Sequence, residues 1–229
     1  MVETTGYSLI NIKNELLNRL RSHFIDKDPL SRVEQKTISF TGDGVKSIFK
    51  ISNNLSCINN VVLDGIDLHF GVDYEIIWRG DNKGSIILPN IPADGLSLEV
   101  NYGDKKENGN FIYPDFPRSD IGEGNIPRIG FKLNGGISRV GGSGVKSVAY
   151  NHDMILQIKV IDRDTFIIDD LVVKLYDFFG KYFKTFYYVP YIDPQNINDY
   201  DDFNDNTEKN HAKIIEFRIP YKYDIKQVI

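Results

Sequence analysis

The side chains able to do chemistry are scattered. Four histidines stand at His23, His69, His152 and His211, and no two have the H-E-x-x-H spacing that places a pair of imidazoles on one zinc ion. No G-x-S-x-G turn presents a serine nucleophile. The glycines of residues 135–144 surround Arg139, but they lack both G-x-x-x-x-G-K-[ST] and the strand-to-helix setting of a phosphate cradle. Residues 193–210 gather Asp193, Asp199, Asp201, Asp202, Asp205 and Glu208. Clustered carboxylates suit calcium, yet the spacing is not that of a twelve-residue calcium loop, and a solvated connection between two strands is the simpler expectation. Cys57 is the only cysteine, so an intrachain disulfide or a cysteine-rich zinc site is excluded; beside Ile58 it reads as a buried, inert thiol. No catalytic, cofactor-binding or metal-ligating residue is therefore assigned, and the expectation is a protein that is not an enzyme and carries no cofactor.

The bulk properties agree with that restraint. The chain has 229 residues, 41% hydrophobic, enough for one or two domains with real cores. A net charge of −5 and a pI near 5.4 argue against nucleic-acid binding through the general surface. No apolar run reaches the roughly 18 residues of a membrane span. Glu3, Thr4 and Thr5 do not begin a secretory signal, so synthesis and retention in the cytosol are expected unless the protein leaves within an assembly.

The elements come in two textures. Around residues 127–223 the pattern is strand, strand, helix, strand. The spacing predicts a helix over 165–182 with Ile167, Ile168, Leu171, Val172, Leu175, Phe178, Phe179 and Tyr182 on one face, capped by Asp164 or Thr165, with Asp169 and Asp170 near its positive end. Ile129, Phe131 and Leu133 share one side of a strand at 127–133. Met154, Leu156, Ile158 and Val160 do so at 154–161, and residues 215–223 alternate without a break. One amphipathic helix on a small sheet is a two-layer α+β core. A further helix is expected over 8–24, striped by Leu9, Ile12, Leu16, Leu20 and Phe24, widened by Ile10 and Leu17, and stopped at Asp28-Pro29; its packing partner is ambiguous.

Residues 35–104 read differently. Candidate strands at 37–40, 47–51, 60–63, 66–70, 74–78, 85–88 and 96–102 are punctuated by Gly42-Asp43-Gly44, Asp64-Gly65, Asp81-Asn82 and Asp94-Gly95. Short strands at regular spacing with no helix between them indicate a β-sandwich, and Asp64-Gly65 is a tight-hairpin signal. Residues 105–110 form a polar linker and 113–124 an extended loop with Pro114, Pro117, Gly122 and Gly124. The Gly-Val-Lys-Ser tetrapeptide at 44–47 and 144–147 has unlike neighbourhoods and is no repeat.

The order of leading helix, Ile126-Pro127-Arg128-Ile129-Gly130-Phe131, the strand at 154–160, the helix at 165–182 and the alternating strand at 215–223 resembles the tail terminator proteins of long-tailed phages and related archaeal viruses. The likeness covers residues 1–33 and about 111–229. Residues 35–104 interrupt it and look like the small β-domains that decorate virion proteins. The resemblance implies a terminator-like domain of residues 1–34 plus 105–229 with an inserted β-sandwich of 35–104. It also implies a structural virion protein that closes a homo-hexameric ring on the tail tube, meets the head-side connector or stopper protein in the neck, and needs no nucleic-acid sequence recognition and no membrane. On that view Phe183, Phe186, Tyr187 and Tyr188 serve a subunit interface, and the loops at 115–125, 135–144 and 193–210 project axially. The competing reading is a virion-associated adhesin or decoration protein whose β-sandwich grips a glycan or host surface, with Trp78 and nearby tyrosines as a platform. An enzyme using Asp or Glu is a third class.

Overall fold

The computed structural model describes residues 2–5, 9–25, 33–79, 83–105, 112–113, 116, 127–135, 138–144, 147–189, 191–203 and 209–227. The stop at Asp28-Pro29, all but the first residue of the expected linker at 105–110 and nearly all of the expected loop at 113–124 lie outside the described residues. What is described is mixed and mostly β: two α-helices among several antiparallel sheets. The chain divides into two compact units, Lys13–Ile112 on one hand and Met1–Ile12 with Tyr113–Ile229 on the other.

The chain opens with β1 (Val2–Thr5) and α1 (Leu9–Ile25). Ile12, Leu16, Leu17, Leu20 and Phe24 are buried as their spacing requires, whereas Ile10, expected to widen the stripe, is 69% exposed. Then come β2 (Val33–Thr41), β3 (Ile48–Ser52), β4 (Leu55–Leu63), β5 (Ile66–Asp67), β6 (Glu75–Arg79), β7 (Lys83–Ile87) and β8 (Ser97–Lys105). They form a four-stranded sheet, β2-β8-β4-β5, and a three-stranded sheet, β3-β7-β6. Inward residues of both, among them Phe49, Ile51, Ile58, Val61, Ile76, Ile86, Leu98 and Val100, make one core, which is the arrangement of a sandwich. Asp64 (φ 48°) and Gly65 (φ 80°) both take positive φ between the paired Leu63 and Ile66, as a two-residue type I′ turn demands. The strand expected at 66–70 stops at Asp67; Phe70 makes only a bridge to Tyr74.

The partner of α1 is this sandwich. Beyond its two pairs with β5, β4 has β8 alone as a strand neighbour, which leaves residues 55–61 with an open edge. Asn18 fills it: its amide donates to the Ile58 carbonyl at 3.0 Å and accepts the Ile58 N–H at 2.7 Å, as a neighbouring strand would. Arg21 donates to the Ser56 carbonyl at 3.2 Å, and Asn14 donates to the Ile76 carbonyl in β6, the edge of the other sheet, at 2.9 Å. Positions 14, 18 and 21 share one helix face, so a single row of polar side chains closes the open edges of both sheets. The expected division keeps residues 1–34 with 105–229, whereas the two compact units divide within α1, between Ile12 and Lys13. Residues 13–25 of α1 fall in the unit of the sandwich, with Asn14, Asn18 and Arg21 bonded to its strands.

The seven-stranded sheet contains β1 and the strands that follow: β9 (Ile112–Tyr113), through which the boundary between the units runs, β10 (Arg128–Asn134), β11 (Ser138–Gly144) and β12 (Ser147–Asp162). After these come α2 (Thr165–Tyr182), β13 (Asp193–Phe203) and β14 (Lys209–Gln227). The backbone of the sheet is β12 against β14, antiparallel from Ser147↔Lys226 to Asp162↔His211. β10 and β11 pair with β12, while β13 and β1 pair with β14. Pro220 falls between the β13 and β1 pairings, where β14 has a neighbour on one side only; a residue without an N–H is tolerated there.

Two expected loops are strands. Residues 138–144 of the glycine-rich stretch pair with β12 across a bulge between Val140 and Gly142, and residues 193–203 of the acidic stretch pair with β14. In both cases the partner strand supplies backbone hydrogen bonds that outweigh poor intrinsic β-propensity. The helix spans the expected residues, with the Asp164 carboxylate accepting the Phe166 N–H as its cap.

Candidate functional site

Among the described residues, those with suitable chemistry are not gathered into a metal-ligating cluster. Cys57 is fully buried and its thiol points at Asn59 Oδ1. His69 lies exposed on the sandwich and His211 is half-buried in β14. Among the described residues no group of three or more His, Cys, Asp or Glu is placed to hold a metal ion. In the acidic stretch, Asp199 is 3.4 Å from Lys213, whose ammonium also meets Asp169 of α2 at 2.5 Å. The hydrogen bond to Asp169, more than any other cause, holds the Lys213 pKa above its ordinary value. So the carboxylates of β13 and α2 face a lysine, which is what a strand-to-helix tie requires. The side chain of Arg139 is not among those described.

The surfaces of the helix-and-sheet unit are the functional candidates that remain. On the helix side, Ile168, Leu171, Val172, Leu175, Phe178 and Phe179 meet the sheet. Phe179 lies 4.7 Å from Phe217 and Phe178 lies 5.9 Å from Phe186, so the aromatic run continues the core past the end of α2. Of the four aromatics expected at an interface, Phe186 and Tyr188 are buried and Phe183 half-buried, and Tyr187 alone is exposed. Two others join it at the surface. Tyr182 belongs to the stripe expected to be core, yet it is 41% exposed, and Tyr191 was not singled out by any pattern. Lys184 lies over the Phe183 ring and Phe183 packs edge-on to Tyr191, which makes a basic, tyrosine-rich corner.

The other sheet face is polar. The Asn134 amide donates to Gln157 Oε1 at 2.8 Å, Gln157 Nε2 donates to Glu216 Oε1 at 2.7 Å, and Asn196 lies 3.5 Å from Glu216 Oε2. This row crosses β10, β12, β14 and β13, one residue from each. Register alone produces it, since Gln157 stands opposite Glu216 and Asn196 opposite Glu216. Sequence alternation shows each residue pointing away from the core but not which strand it will meet.

On the sandwich, Trp78 does not form an open platform. It is half-buried, its indole Nε1 is enclosed without a hydrogen-bond partner, and the Arg21 guanidinium sits 5.4 Å from the ring centroid. The tryptophan is the surface on which α1 rests. Comparison of the chain with protein families, with curated proteins and with solved structures returns no match.

Proposed function

We propose that this chain is a structural virion protein that terminates a virus tail, closing a ring on the tail tube and meeting the head-side connector. The observation that carries the reading is the unit built from β10, β12, α2 and β14 in that order: one amphipathic helix across an antiparallel sheet, preceded by a leading helix, with a sandwich emerging between the two. That order is what resembles the tail terminators. The exposed basic and tyrosine-rich corner after α2 and the polar opposite face give the unit two chemically different surfaces, which is what a head-to-tail contact between copies needs. Electron microscopy of the purified protein tests the ring directly, with closed particles of six copies expected. A virus lacking the gene should make filled heads beside unjoined tails of irregular length. Normal tails joined to heads, with only host attachment lost, would overturn the reading and leave a binding role for the sandwich.

A further inference from the structure

A cleft of about 200 Å³ opens on the sandwich between β3 and β7, lined by Lys50, Ser52, Asn53, Lys83, Gly84 and Ser85. Its walls follow from register. Lys50 stands opposite Ser85, and Lys83 lies two residues before Ser85, so all three side chains leave the same face of the sheet. A bulge between Lys50 and Ser52 spreads the two strands at this point. Gly84 fixes the floor: a Cβ there would stand 1.9 Å from Leu55 Cδ2, so the backbone of β7 lies directly on the core.

Lys36, Lys46, Lys174, Lys181 and Lys213 each face a carboxylate within 4 Å. The two lysines of this cleft, Lys50 and Lys83, like Lys13, Lys105, Lys132 and Lys184 among the described residues, have no carboxylate within 4 Å. The hydroxyl of Ser85, a residue only 8% exposed, has no protein partner there either. Beyond the Ser52 wall stands Asp104. One of its oxygens takes the Ser52 hydroxyl at 2.7 Å and the other takes Lys36 at 2.5 Å, a lysine that also meets Glu34 at 3.4 Å. Two ammonium groups without a carboxylate, a hydroxyl without a protein partner and the Asn53 amide thus line a recess large enough for a small oxyanion, in a chain whose net charge is −5.

We propose that this cleft binds one tetrahedral oxyanion, a phosphate or sulfate group, held by charge-assisted hydrogen bonds from Lys50 and Lys83 and a neutral one from Ser85. The inference stands on the sandwich alone and is independent of the ring. The cleft is open to solvent on one side, which leaves room for an oxyanion carried on a larger molecule. A phosphorylated and a sulfated sugar share the chemistry and differ in charge.

The test is titration of the whole protein with inorganic phosphate and with sulfate, at low ionic strength because exposed pairs are screened within about 10 Å at 0.1 M salt. Chloride holds the ionic strength constant, and amide resonances of 49–53 and 83–86 are the readout. Saturable shifts confined to those residues are expected, with affinity at least about tenfold weaker in the Lys50→Gln/Lys83→Gln double variant. A smaller loss is expected in Ser85→Ala, and wild-type affinity in the control Lys46→Gln. Glucose 6-phosphate against glucose 6-sulfate then identifies the preferred carrier chemistry, and tighter binding of either ester than of the free ion supports the proposal. Unsaturable shifts, or equal binding by the folded double variant, would overturn it.

Discussion

At the scale of single residues the sandwich depends most visibly on a position with no side chain. Gly84 takes an ordinary strand conformation, so its requirement is spatial, imposed by the Leu55 side chain against its Cα. Gly84→Ala is expected to destabilise the Lys13–Ile112 unit by about 1–3 kcal/mol, as overpacking does. In the Leu55→Ala background the same change should cost much less, because the two atoms that collide are then gone. Denaturant midpoints of the four proteins measure this; strictly additive losses would mean that Leu55 is not the group that excludes a Cβ at position 84. Nothing in the local sequence flags Gly84. It follows Asp81-Asn82 and reads as part of a turn, and its contact with Leu55 exists only once two strands are in register. The same is true of the oxyanion cleft. Phe49 and Ile51 announce that Lys50 points outward, but the pairing that sets Lys50 against Ser85 is long-range and leaves no trace in either segment.

At the scale of elements, what was legible was local. The helix at 165–182 was readable to its ends because side-chain spacing, an Asp cap and a charged outer face all depend on neighbours within four residues. The hairpin at Asp64-Gly65 was readable for the same reason. The strands at 138–144 and 193–203 were not, since glycine and aspartate composition argues for loop and only β12 and β14 argue otherwise. The attachment of α1 was illegible too, being made by Asn14, Asn18 and Arg21 reaching carbonyl groups that have no sequence identity. That attachment has a pH dependence. Glu75 of β6 has its pKa pushed up to about 7, first by burial and then by the charge of Glu15, a fully buried residue of α1. A carboxyl with a raised folded pKa binds more protons folded than unfolded. Its contribution is complete below its ordinary pKa of 4.5 and is lost as pH rises through about 7. The difference in melting temperature between Glu75→Gln and wild type should therefore grow in favour of the variant from pH 5 to about pH 8. A difference that stays flat over that range would place Glu75 in open solvent.

At the scale of the whole molecule, the single tryptophan has a consequence of its own. Trp78 belongs to the Lys13–Ile112 unit and lies under Arg21 of α1, while the other unit has no tryptophan at all. Its emission is thus a private signal: it registers the seating of α1 on the sandwich and is blind to the helix-and-sheet unit. Far-ultraviolet circular dichroism sums both, and its helical part is dominated by α1 and α2 together. Each unit has its own core, so each can lose its structure as a separate cooperative event. In a denaturant titration the emission change should complete within one sharp step, while the dichroism continues to change outside that step. Superimposable curves would mean that the two cores melt as one.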